Sequence, residues 1–155
     1  MNADLFAAYG LLAQYGFLVD AGKYEEWLDL FSSRCSYYVK PRENEELGLP
    51  AALIYCDSRD MLEDRIHALR IASKYNIHND RHIIGLPRII ANGANGVTVE
   101  APFAVYQSEQ EGDTRLFATG LYRDRLERSG ENLKISDKMV LLDSFAIPSL
   151  LATPL

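Results

Sequence analysis

The sequence predicts an α+β domain in which helices come first and a long, mainly antiparallel sheet follows. Residues 3–19 and the stretch after Cys56 repeat apolar side chains at helical spacing. From His82 onward the spacing changes to two, the period of a strand with one buried face. Breaks of three to five residues, rich in Gly and Asn, separate the strand-like runs, so neighbouring strands should be antiparallel.

The first helix is predicted over residues 3–19. Its apolar positions alternate at spacings of four and three, which places them on one face: Leu5, Tyr9, Leu12, Gly16 and Val19. A short second helix is expected after the break at residues 20–22. It carries four apolar side chains on one side: Tyr24, Trp27, Leu28 and Phe31.

The next segment predicts two short strands around a loop. Residues 35–40 have the composition of a strand, and Pro41 stops it because proline cannot donate to a ladder. Residues 41–50 are charged and lie between two prolines, which is typical of a loop. Residues 51–56 form a short apolar strand.

A third helix is predicted from Asp57 or Ser58 to near Ser73. Either residue can cap it, because a short side chain offers an oxygen to the free N–H groups of the first turn. Asp60 and Glu63 suit the positive end of the helix dipole. One face is apolar, with Leu62, Ile66 and Leu69, and Arg65 falls on its flank beside Met61 and Leu69.

Four strand-like runs complete the chain, at about residues 82–91, 97–108, 114–127 and 133–145. In the second run, one face is predicted to be buried: Val97, Val99, Ala101, Phe103 and Val105. The other face should be free for a neighbouring subunit and carries Thr98, Glu100 and Tyr106. Long, strongly curved strands around helices predict a cone with an interior.

Composition narrows the function classes. The 155 residues are expected to form one domain, residues 1–155. The balance of 16 Lys and Arg against 22 Asp and Glu disfavours nucleic acid and anionic membrane surfaces as partners. No apolar run reaches the roughly 20 residues that cross a bilayer, and Met1–Gly10 lacks a basic leader. With Cys35 and Cys56 reduced, a cytoplasmic location is expected.

Metal ligands are not arranged for a site. The histidines are His67, His78 and His82, and the last two are separated by a change from loop to strand. A Rieske cluster needs close pairs of Cys and His, and neither cysteine has a neighbouring His. His67 and Glu63 have the side chains of a non-haem iron site but face away from the apolar stripe. With no P-loop and no dinucleotide-binding Gly motif either, we expect no metal-binding or cofactor-binding residues in this chain.

Two alternatives stay open at the level of single residues. A Tyr–Asp or His–Asp pair inside the cone can act as acid and base, with six candidates: Tyr37, Tyr38, Tyr106, Tyr122, His82 and Asp143. Tyrosines that pack their rings explain the same residues structurally. Arg65 is interpreted either as a clamp for a ligand carboxylate or as part of an internal ion pair or subunit contact.

Several motifs resemble the small (β) subunits of aromatic-ring-hydroxylating dioxygenases. The central motif is residues 56–66, CDSRDMLEDRI, followed by Leu69-Arg70 and by residues 81–87, RHIIGLP. Residues 22–31, GKYEEWLDLF, and Tyr37-Tyr38-Val39 are similar to the same family. Residues 85–87, GLP, and residues 41–44, PREN, resemble the branch that acts on aromatic acids such as terephthalate or salicylate.

The resemblance implies a non-catalytic subunit with the cone fold of nuclear transport factor 2. It implies a large (α) subunit that holds the Rieske [2Fe–2S] cluster and the mononuclear Fe(II), a complex of three large and three small subunits, trimer contacts between small subunits, and a reductase or ferredoxin as electron donor. Structural or interface roles are expected for Arg65, Asp57, Arg81 and His82. The alternative is a stand-alone dehydratase or isomerase of the same fold, or a ligand-binding dimer.

Overall fold

The computed structural model describes residues 2–72, 77–144 and 153–155. Helices and strands follow in the order α1 (Ala3–Asp20), α2 (Tyr24–Leu28), β1 (Phe31–Pro41), α3 (Arg42–Glu46), β2 (Ile54–Cys56), α4 (Arg59–Ala72), β3 (His78–Ile84), β4 (Arg88–Gly93), β5 (Gly96–Glu109), β6 (Thr114–Ser129) and β7 (Asn132–Leu142). The predicted α+β class, with helices before the long sheet, is confirmed.

Within the described residues, the strands form one seven-stranded sheet in the order β2-β1-β7-β6-β5-β3, and β4 also pairs with β5. Every pair is antiparallel except β1 and β7, which run parallel. The mainly antiparallel sheet is as predicted, whereas the strong curvature stays a prediction. Side chains of α1, α2 and α4 join one face of this sheet in a single apolar core, and we call that face the covered face.

Helix α1 covers the sheet with a face that differs from the predicted one. Leu12, Gly16 and Val19 are buried as expected, but Tyr9 is 42% exposed and Tyr15 is fully buried in its place. The helix is apolar around most of its circumference, so spacing alone did not select the buried stripe. Gly16 allows close approach, because a Cβ there would lie 3.1 Å from Ile84 Cδ1.

Three boundaries predicted from the sequence are corrected. The predicted loop 41–50 contains the one-turn helix α3. Phe31 begins β1 instead of ending the second helix, and its ring is fully buried. The predicted run 82–91 is two strands, β3 and β4, separated by residues 85–87. Pro87 cannot donate a ladder hydrogen bond, so the strand breaks there.

Helix α4 begins as the sequence predicts, and the structure selects between its two candidate caps. Ser58 Oγ accepts a hydrogen bond from the Met61 N–H at 3.2 Å, whereas Asp57 is exposed. Leu62, Ile66 and Leu69 are buried on the predicted face. The expected end near Ser73 lies outside the described residues.

Strand β5 confirms the predicted alternation. The five side chains of the predicted buried face are at most 5% exposed: Val97, Val99, Ala101, Phe103 and Val105. Glu100 lies on the opposite face yet is only 6% exposed, because Arg88 and Arg123 cover its carboxylate. Among the described helices, none combines the length and apolar character needed to cross a bilayer.

We predict that Ser58→Ala lowers the free energy of unfolding by about 1 kcal/mol, because one N–H in the first turn of α4 loses its acceptor. Chemical denaturation measures the change. Asp57→Ala is the matched control, since this adjacent side chain is exposed and should leave stability within about 0.5 kcal/mol. An equal loss in both variants would contradict the assignment of the cap.

Candidate functional site

A charged pair lies at the centre of the covered face. Lys138 Nζ on β7 donates to Asp124 Oδ2 on β6 at 2.9 Å, and both side chains are 0% exposed. The ammonium also lies 3.4 Å from the centroid of the Tyr122 ring and 4.1 Å from that of Tyr15. The two rings supply electron-rich faces that partly replace the water that Lys138 loses on burial.

Burial governs the ionisation of this pair. It raises the pKa of Asp124 and lowers the pKa of Lys138, and each charge opposes the effect on the other. Asp124 Oδ1 accepts no hydrogen bond from the described residues, so Lys138 is its main compensation. The pair therefore depends on both members being present.

Two fully buried tyrosines, Tyr15 and Tyr37, bind the backbone of Leu155 in the interior. Tyr15 Oη donates to the backbone oxygen of Leu155 at 2.5 Å, and Tyr37 Oη does so at 3.2 Å. The N–H of Leu155 donates to Tyr37 Oη at 2.9 Å. Burial raises the pKa of both phenols, so they stay protonated and act as donors.

His82 forms an internal pair with Asp20, the last residue of α1. Its Nδ1 lies 2.6 Å from Asp20 Oδ1, and its backbone N–H donates to Asp20 Oδ2 at 2.8 Å. The His82 side chain is 0% exposed and that of Asp20 is 4% exposed. The pair borders a half-open groove of about 240 Å³, whose other walls include Phe17 and Ile84. The carboxylate thus ties the end of α1 to β3.

The six predicted acid–base candidates separate into two groups. Tyr37, Tyr122 and His82 line the interior, whereas the Tyr38 ring lies tilted against that of Tyr55 with centroids 5.0 Å apart, and Tyr106 is 41% exposed. Asp143 also stays outside, where it accepts from Thr119 at 3.0 Å and pairs with Arg42. Four interior residues were not identified as site residues from the sequence: Tyr15, Asp20, Asp124 and Lys138.

A signal for Asp124 was present in the strand period. Tyr122, Asp124 and Leu126 alternate along β6 and are all buried. The strand period therefore places the Asp124 carboxylate on the same face as its two apolar neighbours. In the hairpin register Asp124 faces Lys138, which supplies its partner. No comparable signal marks Tyr15, since α1 offers apolar residues on several sides.

The remaining candidate ligands are dispersed. His67 and Glu63 are exposed, and His78 Nε2 lies 3.4 Å from Asp80. No group of three or more metal-ligating side chains occurs among the described residues. Cys35 and Cys56 are buried thiols, and burial raises the pKa of each, which keeps them protonated.

The four predicted structural or interface residues occupy different places. Arg65 is partly buried, and its positive charge acts to lower the pKa of Tyr37 against the effect of burial. Asp57 is exposed before α4. Arg81 has a side chain that is 63% exposed, while its neighbour His82 is internal. Asp57 and Arg81 are exposed, so they are accessible to a surface contact. The His82 side chain is buried, so its role is structural.

The outer face of the sheet combines apolar and charged groups. Arg81 on β3, Tyr106 on β5 and Leu116 on β6 are register neighbours across three strands. Tyr106 is 41% exposed and Leu116 is 50% exposed. We call these three residues the outer row. Aromatic, Arg and aliphatic side chains side by side are typical of protein interfaces.

Comparison with known proteins identifies the relatives of this chain. Residues 16–149 match the family model described as the ring hydroxylating beta subunit. The chain is 37% identical over its whole length to a beta subunit of the terephthalate 1,2-dioxygenase terminal oxygenase of Comamonas sp, covering 99% of that protein. It is 32% identical to the anthranilate 1,2-dioxygenase small subunit of Burkholderia cepacia, covering 97% of this chain and 93% of that one.

Solved structures agree with the sequence relatives. A chain from Novosphingobium aromaticivorans, assigned as the beta subunit of an aromatic-ring-hydroxylating dioxygenase, is 40% identical with a TM-score of 0.86 over 96% of this chain and 95% of that one. A chain from the same organism, assigned as a scytalone dehydratase, has a TM-score of 0.71 over 96% of this chain and 89% of that one. At 13% identity, this second likeness concerns the cone fold alone.

We predict that Lys138→Met lowers the free energy of unfolding by about 3–5 kcal/mol, because the Asp124 carboxylate stays buried without its cation. The double variant Lys138→Met/Asp124→Leu should recover most of this loss, since no charge is then buried. Urea denaturation measures both.

The neighbouring surface pair provides the control for this experiment. Arg125 and Asp137, on the same two strands, lie 3.4 Å apart with side chains 71% and 45% exposed. Arg125→Met should cost about 1 kcal/mol or less. If Lys138→Met lowered the free energy of unfolding no more than Arg125→Met, pairing with Lys138 would not be what stabilises the buried Asp124 carboxylate.

We predict that the stabilisation by Glu100 depends on pH. Its pKa is lowered from 4.5 by hydrogen bonds from Arg88 and Arg123. The carboxylate therefore stabilises the fold above pH 4.5, and this contribution disappears as the pH falls through the lowered pKa. Glu100→Gln should cost about 1–2 kcal/mol at pH 7.

Thermal melts from pH 7 to pH 3 check this dependence. The difference between the wild-type protein and Glu100→Gln should shrink below pH 4.5. Glu111→Gln, in the exposed turn after β5, is the matched control and should differ little from wild type at any pH. A difference for Glu100→Gln that is constant with pH would refute the ionic explanation.

Proposed function

The chain belongs to the family of ring-hydroxylating β subunits, and on that premise we propose that it is the non-catalytic small subunit of the oxygenase component of an aromatic-ring-hydroxylating dioxygenase. The observation that carries this proposal is similarity to such subunits over the whole chain. We propose an aromatic acid as the substrate of the complex, because terephthalate and anthranilate in the names of the relatives are both aromatic carboxylates.

The arrangement of the interior supports a structural role. Three polar contacts lie in the interior: Lys138 with Asp124, His82 with Asp20, and both tyrosines with Leu155. Each contact joins parts of the chain that are far apart in sequence or lie on different strands. These contacts fix α1 and residues 153–155 on the sheet, so they contribute to the shape that a partner subunit would recognise.

Iron is assigned to the partner. The donor set of this chain fits neither a Rieske cluster nor a mononuclear iron site, because Cys35 and Cys56 are buried without a paired histidine and His78 and His82 each pair with an aspartate. We propose that a large subunit holds the [2Fe–2S] cluster and the Fe(II), and that a reductase or ferredoxin supplies electrons to the assembled complex.

We propose that the outer row contributes to the contact with the large subunit. Arg81, Tyr106 and Leu116 present a mixed surface on consecutive strands, where they are accessible to a partner. We also propose an assembly of three large and three small subunits, with contacts between small subunits, because the family resemblance implies it and cyclic closure is the usual arrangement of repeated identical contacts. A cytoplasmic complex is part of the same proposal.

A stand-alone dehydratase or isomerase is the second candidate. The observation that favours it is His82–Asp20 beside a groove, an arrangement that can transfer a proton. In this chain the same carboxylate also accepts from the His82 backbone N–H, which is a strand-tethering contact. The identity to ring-hydroxylating β subunits favours the first proposal.

We predict that co-expression with the large subunit gives one complex in size-exclusion chromatography with light scattering, and that the iron is retained by the large subunit after the two are separated. Leu116→Glu should weaken association at least tenfold, because a buried carboxylate would remain unpaired at the interface. The melting temperature of the separate small subunit should not change, since Leu116 is exposed.

Leu47→Glu is the matched control for the interface variant. Leu47 is 65% exposed after α3, away from the outer row, so its substitution should leave association unchanged. If both variants assemble normally, the outer row is not the interface. If the two wild-type chains elute separately and the large subunit is fully active alone, the proposed supporting function is wrong.

A further inference from the structure

Leu155 is buried in the interior, and two tyrosine hydroxyl groups bind its backbone. Its backbone oxygen accepts from Tyr15 and Tyr37, and its N–H donates to Tyr37, with distances of 2.5, 3.2 and 2.9 Å. The residue is 2% exposed, and Pro154 before it is buried. These hydrogen bonds join positions 140 and 118 residues apart in sequence. Leu155 is therefore held in the interior by a specific set of donors and acceptors.

The surroundings of the two tyrosines are aromatic. The Tyr15 ring lies 5.5 Å from Trp27, 6.4 Å from Phe31 and 5.8 Å from Tyr122 between centroids. Tyr37 lies 6.1 Å from Trp27 on the other side. All of these side chains are 0% exposed. Leu155 belongs to the same apolar core cluster, so its site suits a compact apolar body, and the two hydroxyl groups suit an oxygen acceptor.

Two cationic side chains, Lys138 and Arg65, act on the two tyrosines that bind Leu155. Lys138 Nζ lies over the Tyr15 ring at 4.1 Å, and the charge of Arg65 acts to lower the pKa of Tyr37. Neither cation is a free charge, since Lys138 pairs with Asp124 and Arg65 has contacts of its own. The two hydroxyl donors of Tyr15 and Tyr37 therefore select the occupant, and they favour an oxygen acceptor that carries partial or full negative charge.

We propose that the space between Tyr15 and Tyr37 is a binding pocket for a small apolar molecule with a carbonyl or carboxylate oxygen, and that Leu155 is the occupant supplied by the chain itself. Burial of the leucine side chain and the three hydrogen bonds favour occupancy, while ordering residues 153–155 opposes it by a similar amount. Because the two contributions are similar, a free molecule that makes the same hydrogen bonds can compete with Leu155 for the two hydroxyl groups. Nothing in the proposed supporting function requires this site.

The first experiment displaces Leu155 from the pocket by substitution and measures the binding of benzoate to the vacated site. The full chain with Leu155→Lys should vacate the pocket, because the introduced ammonium is not solvated among aromatic rings. Binding of benzoate, followed by NMR shifts of the Tyr15 and Tyr37 rings and by calorimetry, should be at least tenfold tighter than to the wild-type chain. Adding Tyr37→Phe to Leu155→Lys should weaken it again at least fivefold.

The matched control is Leu47→Lys, which introduces the same charge at a leucine that is 65% exposed, and it should bind benzoate as weakly as the wild-type chain. Equal binding by the wild-type chain and Leu155→Lys would show that Leu155 does not occupy the pocket. Absence of binding to folded Leu155→Lys would show that no ligand site exists there.

A second measurement does not depend on the stability of Leu155→Lys. Hydrogen exchange of the Leu155 amide should be slow in the wild-type chain, because this N–H is buried and bonded to Tyr37 Oη. Tyr37→Phe removes that acceptor and should accelerate the exchange at least tenfold, whereas the exposed control Tyr106→Phe should not. Fast exchange of this amide in the wild-type chain, or no response to Tyr37→Phe, would overturn the proposal.

Discussion

The interior of this domain is constrained by one charged contact that has no access to water, between Lys138 and Asp124. A buried ion pair is tolerated only when its geometry is good and further groups solvate the charges. Tyr15 and Tyr122 meet that need by placing their rings against the ammonium. Tyr15 belongs to α1, so the pair specifies both the register of β6 with β7 and the position of the helix above them.

The two sides of the sheet therefore serve different purposes. On the covered face, Lys138 contacts Asp124, His82 contacts Asp20, and two tyrosines contact Leu155. On the outer face, Glu100 with its two arginines and the outer row remain accessible along their edges. This separation agrees with a family whose members accompany a catalytic subunit. The buried contacts on the covered face hold α1, the strands and residues 153–155 together.

The sequence predicted the features that depend on local period and capping. The alternation in β5, the apolar face of α4 and the order of elements followed from spacing, and the family followed from motifs around Arg65 and His82. Features that depend on distant contacts did not follow. The burial of Tyr15 instead of Tyr9 requires the sheet beneath α1, and Asp20 becomes a partner of His82 only once β3 lies beside it. Hydrogen bonds between Tyr37 and Leu155 join residues that no local pattern relates.

The parallel pairing of β1 with β7 has a consequence for synthesis of the chain. Phe31 is aligned with Ile135, so the two strands meet across about 100 intervening residues. Long-range pairing of this kind slows folding, because loop closure must come before any gain from contact. On the ribosome, β1 emerges long before β7 exists, with β2 as its other neighbour in the sheet. Until the last strand is made, the edge of β1 that pairs with β7 stays open, and unpaired strand edges of this kind make a nascent chain prone to aggregation.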